Sequence, residues 1–288
     1  MATYAIFTDS ACDIKPEMLK EWGVGYENLT FRFEGDDKVY TSEDMDITAF
    51  YQKMREGGVA KTAAANPEAF IGSFRKILEA GNDILHLGFS SGLSTTYNAA
   101  RIAALQLAEE FPDRKIVVID TLAASAGQGL LVYLAVKKQE EGASLEENAE
   151  YIKAMVPKLC HWFTVDDLVY LKRGGRVSAL TAIAGTMLGI KPVLHVDDEG
   201  HLIKVSTAHG RKKAIMALAD KYGELADDKE NGVVFISNAD CIGDVKQLEN
   251  ILKERYGASV DVITDVGSVI GAHSGPGTLA LFFVGKNK

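Results

Sequence analysis

The sequence has little of what marks secreted, membrane-spanning or nucleic-acid-binding proteins. Its 288 residues include three cysteines, Cys12, Cys160 and Cys241, which lie far apart and lack metal-type spacing. No apolar run approaches the roughly 20 residues that span a bilayer, and no Lys/Arg-rich run interrupts a chain of formal net charge −9. These absences argue against a disulfide scaffold, stable membrane insertion and a nucleic-acid partner.

Motifs for nucleotide and metal chemistry are also missing. There is no G-x-x-x-x-G-K-[ST], no complete G-x-G-x-x-G after a strand, no H-E-x-x-H and no cysteine pair spaced for zinc. We therefore expect no cofactor, no metal site and no nucleotide-dependent chemistry by this chain alone. No secretory leader precedes the apolar run at residues 4–7, so we expect a cytoplasmic protein whose cysteines stay reduced.

Strand and helix patterns alternate through the first half of the chain. Short apolar runs predict strands at 4–8, 83–89 and 115–120. Helical spacing and capping residues predict helices at 67–80, 96–110, about 125–140 and 144–158. Asn66 is placed to cap the first of these helices, and Ser144 with Glu147 forms a capping box for the last. The alternation predicts an α/β fold with a mostly parallel sheet and flanking helices.

The second half has a different pattern. Two strand-like segments, 190–196 and 201–207, flank a turn and predict a hairpin. Further elements are predicted as helices at 209–222 and 243–256 and strands at 232–237, 259–265 and 278–284. This order indicates a mixed or antiparallel sheet with helices. With the chain length, it predicts two α/β domains, residues 1–158 and 159–288.

The segment Ser90-Ser91-Gly92-Leu93-Ser94 joins a buried strand to a helix. Free N–H groups at a helix start and side-chain hydroxyls suit a bound carboxylate or phosphate, and Ser91 and Ser94 are the candidate donors. The same segment also matches G-x-S-x-G at 88–92, and Asp265 and His273 follow in the order of a serine hydrolase. A third interpretation is a structural turn, so the residues alone leave three alternatives open.

Four other side chains are candidates for binding an anion. Thr62 precedes a helix in a small-residue loop, where the helix cap does not need its hydroxyl. Arg173 and Arg176 flank a glycine pair and suit bidentate anion contact, or they end a helix near Gly174 and face solvent. His273 lies in a glycine-rich loop that looks built to present it. Asp9, by contrast, is interpreted as holding loops together through backbone hydrogen bonds.

Taken in order, these segments resemble the DegV family of bacterial fatty-acid-binding proteins. The resemblance runs from residue 4 to about 284 and rests on the ordered set rather than on one motif. Its blocks are Phe7-Thr8-Asp9-Ser10, Thr62 before a proline-led helix, Ser90 to Ser94, Val118-Ile119-Asp120-Thr121, Leu168 to Ser178, Ile190-Lys191-Pro192 and Gly271 to Gly277.

The resemblance implies a carrier, not an enzyme. A long-chain fatty acid such as palmitate or stearate would lie in an apolar tunnel covered by the second domain. Its carboxylate would contact Thr62 and Ser94, with Ser91 and His273 nearby and Arg173 or Arg176 supporting the same end. The carrier would present the lipid to a separate dihydroxyacetone-kinase-like fatty acid kinase, whose acyl phosphate product feeds phospholipid synthesis. Two departures from the family pattern, Ala63-Ala64-Ala65 after Thr62 and Thr95 after Ser94, change the surroundings of the carboxylate.

Overall fold

The parallel sheet predicted for the first half is present. The computed structural model describes residues 3–176 and 189–288. Its first sheet has four parallel strands, in the spatial order β2 (Gly25–Glu27), β1 (Tyr4–Asp9), β5 (Asp83–Gly88) and β6 (Ile116–Asp120). The strand β5 is buried along its whole length, as its largely apolar run predicts for a strand covered on both faces. The three longer strands confirm the predictions to within one residue at each end.

Four of the six helices described in the first half were predicted, three of them to within one residue at each end, whereas the helix predicted at 144–158 ends at Met155 and the first two were not predicted. The six helices are α1 (Pro16–Glu21), α2 (Ile47–Arg55), α3 (Pro67–Glu79), α4 (Thr96–Glu110), α5 (Ala126–Glu140) and α6 (Leu145–Met155). The side chain of Asn66 accepts a hydrogen bond from the backbone N–H of Ala69 at 2.9 Å. The capping box between Ser144 and Glu147 is formed, and a 3-10 turn over Val156–Lys158 follows α6.

A two-stranded antiparallel sheet was not predicted and changes the setting of Thr62. Its strands are β3 (Thr30–Phe33) and β4 (Ala60–Ala63), and Thr62 pairs with Phe31. The prediction of a loop at Thr62 is therefore wrong. The segment Lys61-Thr62-Ala63 has no apolar alternation of its own, and its extended shape comes from pairing with the apolar β3.

The second sheet has six strands and is mixed, as predicted for this half. Its spatial order is β11 (Val262–Asp265), β10 (Val234–Asn238), β12 (Leu279–Val284), β7 (Leu159–Thr164), β8 (Ile190–Val196) and β9 (Leu202–His209). β10 and β11 are parallel, and the other neighbours are antiparallel. The hairpin of β8 and β9 confirms the prediction, whereas β7 was not predicted.

The helices of the second half are α7 (Val169–Gly174), α8 (Arg211–Leu225), α9 (Ile242–Tyr256) and α10 (Ser268–Ser274). The helices predicted at 209–222 and 243–256 are present as α8 and α9. His273 lies in the last turn of α10 and not in a loop, so that prediction is corrected. The flexible backbone begins after the helix, where Gly275 and Gly277 adopt φ values of 80° and 81°. The fold is α/β, as expected.

The helix α5 packs between the two sheets and joins them. It contacts β1 and β5 of the parallel sheet and β7, β10 and β12 of the mixed sheet. Its Leu130 and Leu131 are fully buried in a core that also contains Leu85 and Phe282. This shared core crosses residue 158, and the domain boundary there stays a prediction. In the described ranges, no helix is both long and apolar enough to cross a bilayer.

Candidate functional site

A cavity of about 490 Å³ lies between the loops after β5 and β6 and one face of the mixed sheet. This volume falls in the range of about 300–1,000 Å³ that is typical of small-molecule sites. Much of its wall is apolar and comes from both halves of the chain, including Leu29, Phe89, Leu93, Phe163, Leu171 and Val269. The cavity therefore offers an elongated ligand an apolar surface that no single element supplies.

Hydrophilic side chains predicted from distant parts of the sequence line this same cavity. Five of the six candidates are among the lining residues, namely Thr62, Ser91, Ser94, Arg176 and His273. Arg173 is not: it is exposed, and its guanidinium carbon lies 5.9 Å from the centre of the Tyr170 ring. The structure thus brings five candidates together, and the role of each one stays a prediction.

Thr62 and His273 form the central hydrogen bond of this polar group. The strand β4 presents the Thr62 hydroxyl, whose oxygen lies 2.8 Å from Nε2 of His273. Nδ1 of His273 has no hydrogen-bond partner among the described residues. A Cβ at Gly174 would lie only 2.2 Å from this nitrogen, so the ring packs against a backbone that must stay free of a side chain.

Burial, followed by the nearby charge of Arg176, lowers the pKa of His273 to about 4. The ring is therefore neutral at physiological pH and carries one N–H donor and one acceptor. In the tautomer protonated at Nε2, the ring donates to Thr62 and leaves the Thr62 hydroxyl proton free to donate to an anion. The pair is therefore suited to holding a carboxylate without requiring a charged histidine.

Ser94 lies at the start of α4, where backbone N–H groups have no partner within the helix. Its hydroxyl oxygen accepts a hydrogen bond from the N–H of Thr96 at 3.2 Å and lies 2.9 Å from the Thr96 hydroxyl. The 15-residue helix directs its positive dipole end towards the cavity lining. Ser94 therefore both organises the helix start and adds a hydroxyl to an electropositive part of the wall.

Arg176 connects α7 to the hydroxyl-rich loop. Its Nη1 donates to the carbonyl of Gly174 at 2.6 Å, and its Nε donates to the carbonyl of Leu93 at 3.3 Å. The left-handed residue that ends α7 is Gly175, one position later than the predicted helix end at Gly174. Residues 177 and 178 of the resemblance block lie outside the described residues. Arg176 thus adds a positive charge to the polar end of the cavity.

Ser90 does not have the surroundings of a catalytic nucleophile. Its buried hydroxyl donates to the carbonyl of Gly200 at 2.9 Å and accepts from the N–H of Gly92 at 3.2 Å. His273 forms its hydrogen bond with Thr62 and not with Ser90. The carboxylate of Asp265 instead lies near Lys15, with 3.9 Å between Oδ2 and Nζ. Within the described ranges, the hydrogen-bonded serine–histidine–aspartate arrangement of the hydrolase alternative is not formed.

Asp9 has the structural role predicted for it. Its Oδ1 accepts from the N–H of Ala11 at 3.1 Å, and its Oδ2 accepts from the N–H of Phe89 at 2.9 Å. Burial outweighs these bonds and raises its pKa to about 6. The carboxylate therefore holds together the loops that follow β1 and β5, and the second of these loops carries Ser91 and Ser94.

Three polar residues deeper in the cavity were not predicted from the sequence. Ser125, Ser237 and His161 line it although each lies in an otherwise apolar or small-residue segment. The alternation of side chains along β7 places His161 on the same face as Phe163, and this signal was available once β7 was known to be a strand. No group of three or more metal-binding side chains occurs in residues 3–176 and 189–288.

Comparison with known proteins agrees with this architecture. A family model described as the uncharacterised DegV family matches residues 3–286. A DegV domain-containing protein of Clostridium perfringens is 40% identical over 290 residues, covering 100% of this chain and 99% of that protein. The chain belongs to the DegV family.

Solved structures show the same fold. A DegV family protein from Thermus thermophilus, described by its fatty acid binding, has a TM-score of 0.88 and 31% identity, covering 98% of this chain and 99% of that one. A stearic acid-binding protein from Eubacterium ventriosum has a TM-score of 0.88 and 27% identity, covering 99% of both chains. These two relatives are thus fatty-acid-binding proteins with the fold described here.

Proposed function

We propose that this protein binds one long-chain fatty acid in the cavity, with the carboxylate at Thr62, Ser94, His273 and Arg176. The observation that carries the proposal is a largely apolar cavity that also contains a cluster of hydroxyl, imidazole and guanidinium groups beside a helix start. The fatty acids named for the related structures support the same ligand class.

The acyl chain supplies most of the affinity in this proposal. Burying each CH₂ group contributes about 0.8 kcal/mol, so a 16-carbon chain contributes on the order of 10 kcal/mol before the costs of binding. Charge-assisted hydrogen bonds to the carboxylate add roughly 1.5–3 kcal/mol each. The hydrophilic end therefore mainly fixes the position and orientation of the carboxylate.

We further propose that the protein is a non-catalytic, cytoplasmic carrier with its two parts, 1–158 and 159–288, enclosing the ligand. A separate dihydroxyacetone-kinase-like kinase would phosphorylate the carboxylate, and the acyl phosphate would enter phospholipid synthesis. The absence of a P-loop from the sequence supports a separate kinase. Ser91, Thr95 and Asn98 line the cavity and are exposed, so a partner can approach the carboxylate on this side.

Removing single hydroxyls should separate binding from phosphorylation. Ser94→Ala and Thr62→Val should each weaken palmitate binding by no more than about tenfold, because one hydrogen bond contributes little beside the acyl chain. Phosphorylation by an added fatty acid kinase should fall by about 100-fold, because a carboxylate displaced by about 1 Å reacts poorly. Fluorescence titration and a radiolabelled-phosphate assay measure the two effects.

Thr207→Val is the matched control, since Thr207 is exposed on β9 and does not line the cavity. Thr207→Val should change neither the affinity for palmitate nor its phosphorylation. A Ser94→Ala or Thr62→Val protein that loses binding outright, yet transfers phosphate normally for each bound lipid, would contradict this assignment of roles. Covalent labelling of wild-type protein by a fluorophosphonate would instead favour the hydrolase alternative.

A further inference from the structure

The deep part of the cavity contains a polar side chain that the proposed carboxylate site does not use. His161 lies on β7, is 1% exposed and lines the cavity. Neither of its ring nitrogens has a hydrogen-bond partner among the described residues. A buried polar group left without a partner costs about 1–3 kcal/mol. Unlike the buried His86, His161 lines the cavity, so a bound ligand can supply the missing partner.

The strand register places His161 far from the carboxylate end. Thr278 lies next to that end, because its hydroxyl donates to the carbonyls of Ser274 and Gly275, just after His273. Along β12 the chain then passes Ala280, opposite Phe163, and reaches Phe282, opposite His161. Four residues of extended chain span about 13 Å. His161 therefore faces the distal part of a fatty acid whose carboxylate lies at His273.

Packing fixes the ring in this position. The His161 ring meets the Phe282 ring edge to face, with 5.6 Å between their centres. On the α5 side, a Cβ at Gly127 would lie 2.4 Å from Nε2 of His161, so only glycine leaves room for the imidazole. The ring is thus held between an aromatic side chain and a bare helix backbone, beside the cavity.

The chemistry of His161 selects for a hydroxyl group. Burial lowers the pKa of His161 well below its ordinary value, so the ring is neutral and has one N–H donor and one acceptor. A hydroxyl group can match either nitrogen, because it both donates and accepts. A methyl-terminated alkyl chain matches neither nitrogen and leaves the ring without a partner.

We propose that His161 forms a polar subsite for a hydroxyl group on the distal half of the acyl chain, and that hydroxylated long-chain fatty acids are the preferred ligands. This inference rests on the proposed fatty-acid site at His273. It assigns specificity for the tail to a residue that lies apart from the carboxylate contacts.

The test compares how tightly delipidated protein binds hydroxylated fatty acids and the parent acids that lack the hydroxyl group. Affinities are measured for palmitate against 16-hydroxypalmitate, and for stearate against 10- and 12-hydroxystearate. We expect at least one hydroxy acid to bind about tenfold more tightly than its parent. His161→Phe should abolish that preference while it still binds the parent acid. Equal or weaker binding of all three hydroxy acids by the wild type, or an unchanged preference in His161→Phe, would overturn the proposal.

His86→Phe is the matched control. His86 is also buried with both ring nitrogens unpartnered, but it lies among Phe7, Phe70 and Phe74 and does not line the cavity. This variant should keep the wild-type preference. A loss of the preference in His86→Phe as large as in His161→Phe would count against a specific subsite.

A spectroscopic measurement on the wild type covers the case in which His161→Phe does not fold. In ¹⁵N-histidine-labelled protein, the preferred hydroxy acid should shift the ring nitrogen resonances of one buried neutral histidine relative to the complex with its parent acid. Identical resonances in the two complexes would overturn the subsite. Failure of palmitate and stearate to bind at all would instead overturn the proposed function, so the two outcomes are distinguishable.

Discussion

Ala280→Phe is expected to weaken fatty-acid binding strongly while leaving the fold intact. Ala280 lies on β12, is 5% exposed and lines the cavity midway between the Thr278 end and the His161 end. A phenylalanine ring at this point would fill space that the acyl chain needs. If the ring keeps four or more CH₂ groups from being buried, the loss is about 3 kcal/mol, so palmitate should bind at least about 100-fold more weakly.

The same substitution on the surface provides the control. Ala108 is exposed on α4 and does not line the cavity, so Ala108→Phe should bind palmitate like the wild type. Overpacking at Ala280 costs typically 1–3 kcal/mol, which circular dichroism and thermal melting will register as a modest change. A folded Ala280→Phe protein with wild-type affinity for palmitate would show that the ligand lies elsewhere.

Asp13→Asn is expected to change how stability depends on pH between pH 6.5 and 8, by removing a contribution that falls as the pH rises. Asp13 is buried, and its Oδ2 accepts from the Ser125 hydroxyl at 2.5 Å, which in turn lies 3.0 Å from the Ser237 hydroxyl. Burial is the main cause that raises the pKa of this carboxyl to about 8. Asparagine has nearly the same shape as the protonated acid and needs no proton to be neutral.

The sign of this pH dependence follows from proton binding. In the unfolded chain the carboxyl titrates near its ordinary pKa of about 3.9, so above this pH the folded state binds more protons than the unfolded state. The contribution of Asp13 to stability therefore falls as the pH rises towards the folded pKa of about 8, with a slope of up to about 1.4 kcal/mol per pH unit.

The comparison between the wild type and Asp13→Asn separates Asp13 from the other buried groups whose pKa values are shifted, because both proteins contain those groups. Asp9 has a pKa of about 6, so it contributes the same sign mainly at lower pH. Four buried or partly buried histidines with lowered pKa values contribute the opposite sign up to about pH 7.5, because a histidine in the unfolded chain titrates near pH 6.5. They are His86, His161, His195 and His273.

Urea denaturation of the wild type, Asp13→Asn and the exposed control Asp37→Asn, at several values between pH 6.5 and 8, measures the slope. Between pH 6.5 and 8, Asp13→Asn should gain about 1.5 kcal/mol of stability relative to the wild type, whereas Asp37→Asn should keep the wild-type slope. Equal slopes in all three proteins would show that Asp13 is already ionised when folded.

Local sequence signals predicted the elements that carry strong patterns. The strand β5 and the helix α3 were predictable because a largely apolar run and the cap at Asn66 are local features. The strand β4 was not, because Thr62 is extended only through pairing with β3 some thirty residues earlier. The helix α10 was not predicted because it is short, contains Gly271 and is flanked by further glycines. The loop after it does contain the glycines that adopt positive φ.

The candidate site was predictable only where it rests on local sequence features. The hydroxyl-rich loop is a local motif, and the family resemblance pointed to Thr62, Ser94 and His273. Their meeting in one cavity depends on packing between segments up to 211 residues apart, as in the Thr62–His273 hydrogen bond. His161 carries no local motif, and its exposure to the cavity follows only from the register of β7 against β12.

Mass spectrometry of an organic extract from the natively purified protein would identify the bound ligand. We expect a fatty acid in the C14–C18 range at about one molecule per chain, and a lower yield from Ala280→Phe purified in parallel. Protein that carries no lipid and also fails to bind added palmitate, stearate or their hydroxy derivatives would contradict the proposed function.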